Sequence, residues 1–191
     1  GEAGLPLMVV GIAEDITDKK HMESELQRLA TTDVLTQSSN RRYFFDSAEA
    51  AFKECRREGI PLAFLLLDVD DFKKINDRFG HQVGDQVLQR IAQSGSAALR
   101  RGDLFGRIGG EEFAVLLPGC DEQTARQIGE RLQREVQRLR FQEGEQSFGI
   151  TVSQGLTVLQ ADDEGLGALY SPADAAMYSA KRQGKDCIVV G

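Results

Sequence analysis

Apolar and polar positions recur along this chain with two periods, and the switches between them mark its elements. Residues 43–57 place Phe44, Ala48, Phe52 and Cys55 on one side of a helical wheel, which predicts a helix with a single buried face. Residues 62–67 (LAFLLL) form a continuous apolar run of strand length, the pattern of a central strand covered on both sides. Helices are predicted over 72–79 and 84–99, the second turning Val87, Leu88, Ile91 and Ala92 inward. Strands over 104–108 and 113–117 flank Gly109-Gly110, a two-residue hairpin signal. A helix over 123–139 follows, with Ile128, Leu132, Val136 and Leu139 on its stripe. A strand or hairpin arm over 148–159, a helix over 172–182 and a final strand over 186–190 complete the pattern. The order predicts an α/β (α+β) domain, a central sheet with helices packed on one face.

The first 30 residues follow no such pattern. Residues 7–13 read as a strand that has no partner nearby, and a helix is predicted to begin beyond it, with Asp15 or Thr17 as N-cap. Met22, Leu26 and Leu29 make a narrow apolar stripe on that otherwise charged helix. Such a stripe packs on its own domain or pairs with another helix; its narrowness favours pairing.

Composition narrows the function. A chain of 191 residues buries one good core with a short appendage, and its formal net charge of −7 works against a nucleic-acid surface. A small anionic substrate remains open if metal ions supply local positive charge. The three cysteines, Cys55, Cys120 and Cys187, match no zinc spacing and read as reduced thiols of a cytoplasmic protein. Two histidines, His21 and His81, are too few and too separated for a metal cluster. No apolar run approaches the ~20 residues of a membrane span, and no signal-peptide pattern is present. The chain opens mid-pattern, so upstream parts of a longer protein, membrane-tethered or not, are expected.

Two acids draw attention. Asp68 ends the apolar strand, where it is either a metal ligand at the sheet's carboxyl edge or an N-cap for the next helix; Asp70 and Asp71 are better placed for capping. Glu111 follows the hairpin glycines, so if the hairpin lies beside the first strand the two carboxylates converge. Two hard oxygen ligands together with substrate phosphates suit Mg²⁺. Gly109 and Gly110 allow positive φ and close backbone approach to a ligand. A hairpin that is only structural needs the turn but not two adjacent acids.

Four ordered stretches then carry a resemblance. Residues 107–118 (RIGGEEFAVLLP), 67–85 (LDVDDFKKINDRFGHQVGD), 32–36 (TDVLT) with 40–42 (NRR), and 176–185 (AMYSAKRQGK) resemble the motifs of GGDEF-type diguanylate cyclases, in the GGEEF variant. The likeness covers roughly residues 30–190. It implies a mostly antiparallel sheet flanked by helices, as in polymerase palms and class III nucleotidyl cyclases, and the condensation of two GTP into cyclic di-GMP with release of two pyrophosphates. On that resemblance Asp68, the Val69 carbonyl and Glu111 hold two Mg²⁺, with Mn²⁺ as a substitute, and Glu112 assists the metals or activates the 3′-hydroxyl. Asn76 and Asp85 read the guanine edge, although capping is their plainer role, Asp85 opening the helix after Gly84. Phe72, Gly109 and Gly110 line the substrate, while Lys73, Lys181 and Lys185 contact phosphates; many relatives have arginine at Lys185. Arg100 and Asp103 match the RxxD product-inhibition motif, and Arg131 the arginine that completes that site from a neighbouring subunit. Each site holds one GTP, so a homodimer follows from the chemistry.

Residues 1–30 resemble the exit strand of a PAS sensory domain and a signalling linker; the cyclase domain is expected over 31–191. Two departures stand out: Gln37-Ser38-Ser39 replaces the usual Gly-Leu-Pro, and Gln154 stands where a small or aliphatic residue usually follows Ser153. Competing readings are a non-catalytic GTP or cyclic di-GMP receptor, a cyclase acting on ATP, and a structural linker.

Overall fold

The computed structural model describes residues 5–191, with side chains from residue 15 onward. It opens with α1 (Leu5–Thr31), followed by α2 (Arg41–Glu58), β1 (Leu62–Val69), α3 (Phe72–Phe79), α4 (His81–Ala98), β2 (Leu104–Arg107) and β3 (Glu112–Pro118). Then come α5 (Glu122–Arg138), β4 (Phe141–Glu143), β5 (Gln146–Phe148), β6 (Val152–Val158), α6 (Gly167–Arg182) and β7 (Ile188–Val190).

The main sheet has the order β2-β3-β1-β6-β7, antiparallel throughout except for the parallel pair β6–β7. Central β1 is buried on both sides, and its alternating residues enter two cores. Ala63, Leu65, Leu67 and Val69 pack with Val87, Leu88 and Ile91 of α4 and Leu132 and Val136 of α5. Leu62, Phe64 and Leu66 pack with Phe44, Ala48 and Phe52 of α2 and Leu169, Ala173 and Met177 of α6. Helices therefore cover both faces of the sheet, which corrects the one-face expectation: a strand without a polar face needs two apolar layers.

The strand predicted over 7–13 is instead the start of α1, and Asp15 and Thr17 lie inside that helix rather than capping it. A lone strand would leave its backbone donors and acceptors unpaired, whereas a helix satisfies them internally. The first four residues of the expected remnant lie outside the described residues. Ile16, Met22, Leu26 and Leu29 are 50%, 66%, 64% and 51% exposed, so the apolar stripe does not pack on its own domain.

The arm predicted over 148–159 divides. β6 joins the main sheet, while β5 pairs with β4 in a separate hairpin whose Phe148 ring stacks on Phe79 at 4.3 Å and 8°. Helix α6 begins five residues earlier than the predicted 172 because buried Leu166 and Leu169 extend its apolar face ahead of Pro172. It lies directly on β6: a Cβ on Gly155 would stand 2.0 Å from the Ala173 carbonyl oxygen. Gly155→Ala is therefore expected to cost about 3 kcal/mol, the upper range of overpacking, because backbone rather than a side-chain tip must move; urea unfolding measures it.

Gln37 has φ 61°, the left-handed conformation that glycine adopts freely, so the departure from glycine falls at a strained position. Its side chain donates to the Val34 carbonyl at 2.8 Å and accepts from Arg28 of α1 at 3.2 Å, which offsets part of that strain.

Candidate functional site

The register of β1 against β3 assembles the acids. Asp68 lies directly opposite Glu112, and the Val69 amide donates to the Glu111 carbonyl at 3.1 Å. Asp68, Glu111 and Glu112 therefore meet at one sheet edge. Burial, then the nearby Glu111 and Asp70 charges, push the Asp68 carboxyl above its usual range despite the help of Lys181. Burial also raises Glu112, reinforced by Asp68, Asp174 and Glu111. Among the described residues no three of these side chains stand in ready-made metal-binding geometry. The donors are hard oxygens whose mutual repulsion a divalent cation relieves, so the chemistry of the set fits Mg²⁺.

Lys181 Nζ bridges this edge, 2.7 Å from Asp68 Oδ1 and 2.8 Å from Asp70 Oδ1. Burial opposes its charge, but the hydrogen bonds to Asp68 and Asp70 outweigh burial and hold its pKa above the ordinary value. Neither Asp70 nor Asp71 caps α3 through its side chain, contrary to expectation. Asp70 is buried and accepts from Thr151, Ser153, Lys181 and the Asp186 amide, while Asp71 pairs with Lys185 at 2.7 Å. Asp71, Lys185 and Asp186 all have positive φ (56°, 65° and 50°), a concentration of backbone strain of roughly 1 kcal/mol each at one side of the site.

The hairpin is wider than a two-residue turn. Its last ladder pair is Arg107 with Phe113, and the amides of Ile108 and Gly109 both donate to the Glu112 carbonyl, at 2.9 and 3.3 Å. Gly109 and Gly110 do not adopt positive φ, which corrects that reason for glycine. Apart from Gly110 and its two neighbours in the chain, no protein atom lies within 4 Å of where a Gly110 Cβ would stand, so a ligand has room to approach there. Arginine side chains clamp the turn, with Arg41 donating to the Ile108 carbonyl at 2.6 Å and Arg107 to the Gly110 carbonyl at 2.9 and 3.1 Å. Arg107 also pairs at 3.2 Å with Asp33, in the loop that leaves α1.

Asn76 lies against Gly84, where a Cβ would clash with its Oδ1 at 1.9 Å and crowd the Phe72 ring at 3.2 Å. Phe72, Asn76 and the Gly84–Asp85 turn of α4 are thus brought together. Asn76 Oδ1 is buried and has no hydrogen-bond partner, a polar atom left for something else to satisfy. Asp85 is exposed within α4, which begins at His81, so it does not open that helix. Lys73 is exposed on α3.

On the far side, Arg100 donates to Asp103 through its amide (3.1 Å) and Nε (3.3 Å), and to the Pro118 carbonyl at 2.7 Å. Arg131, which contacts the Ala98 carbonyl, lines the same cleft of about 540 Å³ as Arg100, Asp103 and Arg134. The structure therefore brings Arg131 to the Arg100–Asp103 turn within one chain. The sequence pattern gave no role to Asp33, Arg41 or Arg107, although all three lie inside the quoted motifs, and gave Asp70 only a capping role. Gln154, flagged as a departure, is buried and donates to the Gly129 carbonyl (2.9 Å) and Gln133 Oε1 (2.6 Å).

An antiparallel-rich sheet with acids at the β1–β3 edge is the architecture of palm-like nucleotidyl cyclases. The sequence matches the family described as "Diguanylate cyclase, GGDEF domain" over residues 30–187, and the chain belongs to that family. A diguanylate cyclase of Vibrio cholerae is 36% identical over 181 residues, 93% of this chain and 55% of the relative. Diguanylate cyclase DgcP of Pseudomonas aeruginosa is 39% identical over 89% of this chain and 25% of its own length. The chain thus spans between a quarter and about half of these relatives. The coiled coil and GGDEF domain of DgcB from Caulobacter crescentus, solved in complex with c-di-GMP, superposes with a TM-score of 0.87 at 28% identity, covering 98% of this chain and 99% of that one. Diguanylate cyclase SiaD of P. aeruginosa, solved with its activator SiaC, gives 0.83 over 97% of this chain and 73% of that one, at 33% identity.

Proposed function

We propose that this chain is a diguanylate cyclase domain that condenses two GTP into cyclic di-GMP and two pyrophosphates. The observation that carries the reading is the β1–β3 register, which sets Asp68 opposite Glu112 and bonds Val69 to Glu111 at the edge the glycine turn leaves open. Asp68, the Val69 carbonyl and Glu111 hold two Mg²⁺, or Mn²⁺ in their place. When bound, these ions supply Lewis acidity at the 3′-oxygen and neutralise triphosphate charge. Glu112, whose raised pKa suits proton transfer, accepts the 3′-hydroxyl proton or supports the cations. Lys181 binds a phosphate oxygen, assisted by Lys73 and Lys185. Asn76 and Asp85, with Phe72, select guanine: a carboxylate accepts its N1–H and N2–H donors, whereas adenine offers an acceptor at N1.

Because each domain holds one GTP, two copies must face each other, and the exposed stripe of α1 is the handle for that pairing. An upstream sensory domain of the PAS type in cis tunes how often the half-sites meet. Product binding at Arg100 and Asp103, completed by Arg131 of either copy, provides feedback inhibition. The protein acts in the bacterial cytoplasm; no described helix is long and apolar enough to cross a membrane.

Incubation with GTP and Mg²⁺, with the product identified by mass, tests the reading. Cyclic di-GMP is expected from the wild type and not from Glu111→Ala, with ATP used about 10⁴-fold less efficiently. Tight GTP binding without product from a confirmed dimer would favour the receptor reading instead.

A further inference from the structure

We propose that Asp70 is a positioning residue of the nucleotide site, a buried carboxylate that aims the Lys181 ammonium at the triphosphate. The inference rests on the cyclase reading above and concerns how one of its phosphate ligands is held.

The geometry is set by two periodicities. Asp68 and Asp70 are two residues apart at the end of β1, so both point to the sheet face that carries α6. On α6 the residues packed against that face, Leu169, Ala173 and Met177, recur every four positions, and the next in the series is Lys181. The helix's apolar stripe therefore ends in an ammonium directly over the strand's row of acids.

Asp70 is only 4% exposed. Its Oδ2 accepts from Thr151 Oγ1 at 2.7 Å and from the Asp186 amide at 3.0 Å; its Oδ1 accepts from Ser153 Oγ at 2.6 Å and from Lys181 at 2.8 Å. The hydroxyls and the amide come from the approach to β6, β6 itself and the approach to β7, and would satisfy a carboxylate whose only task was to tie those segments to β1. Lys181 is different, because its second partner is Asp68 on the ligand side. Asp186, which supplies the amide, is fixed in turn by the side-chain amides of Gln133 and Gln137 on α5.

The consequence concerns the loaded site. Once Asp68 turns its charge to a cation, it no longer holds Lys181, and a four-carbon stem alone would let the ammonium wander. Asp70 keeps one N–H of Lys181 and leaves the others to donate to phosphate.

The test is a double-mutant cycle read by calorimetry, with an α,β-methylene GTP analogue and Mg²⁺ as the probe and no turnover required. Lys181→Met and Asp70→Asn are each expected to weaken analogue binding by about tenfold, the size of one charged hydrogen bond. The double variant should bind within about twofold of Lys181→Met alone, since Asp70 acts through that lysine. Losses that multiply in the double variant, or an Asp70→Asn variant that binds like the wild type, would overturn the inference. If Asp70→Asn does not fold, Ser153→Ala loosens the same Oδ1, and its penalty must likewise vanish in the Lys181→Met background; an equal penalty in both backgrounds refutes the proposal. A wild type that binds no analogue would overturn the cyclase reading itself, an outcome separate from an additive cycle.

Discussion

Asp68→Asn is expected to lower cyclic di-GMP formation on the order of 10³-fold while leaving the melting temperature unchanged or higher. The loss of rate follows from the proposed role of Asp68: the substitution would remove one of the carboxylates that hold cations whose charge stabilisation is worth several kcal/mol. The stability effect has the opposite sign. Asp68 has its pKa raised by burial and by its acidic neighbours, so the ionised form is less favourable in the folded protein than in the unfolded chain. Replacing it with a neutral amide removes that penalty and also relieves Glu112, whose pKa Asp68 helps to raise. Lys181 keeps its bond to Asp70, so the substitution strands no ammonium. Steady-state rates beside a thermal melt check both halves, and a variant that loses rate only because it unfolds would contradict the argument. The same shifts fix the acid limb of the wild-type rate. A cation held as proposed would need Asp68 ionised, and its raised pKa means that a proton reclaims it at higher pH than an ordinary acid. The rate is therefore expected to decline before pH falls to the usual carboxylate range near 4.

What could be read from the sequence depended on whether a residue's role is local. The helical stripe Phe44-Ala48-Phe52-Cys55, the doubly buried run of β1 and the placement of Phe72–Phe79 all follow from side-chain periodicity, and they stand where expected. The approach of Asp68 to Glu111 was legible because one closes the apolar run of β1 and the other follows a turn. Asp70 was not, because its partners Thr151, Ser153 and Asp186 lie far along the chain and meet it only through the β1–β6 register. The hairpin β4–β5 was missed for a similar reason, only its last residue, Phe148, falling within the arm predicted over 148–159. Its strands of three residues each carry too little alternation, and what holds it is the stack of Phe148 on Phe79, a contact between distant segments. Residues 7–13 misled in the other direction: an apolar, β-branched run has strand propensity, but with no neighbouring strand the backbone pairs with itself as α1.

Arg107→Ala is expected to reduce turnover about 10²-fold, the typical cost of letting reacting groups drift by ~1 Å. Its guanidinium spans two elements at once. Nε and one terminal nitrogen hold the Gly110 carbonyl, and the other terminal nitrogen pairs with Asp33 in the loop leaving α1. Burial works against the Asp33 charge, but the Thr36 amide and hydroxyl together with Arg107 outweigh it and hold that carboxyl below its usual pKa. Both side chains are about one-fifth exposed, so breaking the pair should cost about 1–2 kcal/mol of stability, between the values for surface and buried bridges. Arg107→Lys separates the two duties. A lysine restores charge beside Asp33 but lacks the planar fork that reaches Gly110 at the same time, so it should recover stability more than rate. Asp33→Asn makes the reverse cut. It should weaken the domain as much as Arg107→Ala while keeping most of the turnover, because the arginine still clamps the turn. If instead Asp33→Asn loses rate as fully as Arg107→Ala, the ion pair itself governs the hairpin. The end of α1 would then control the catalytic turn through a single guanidinium, and any rotation of that helix imposed from upstream would reach Glu111 and Glu112 by the same route.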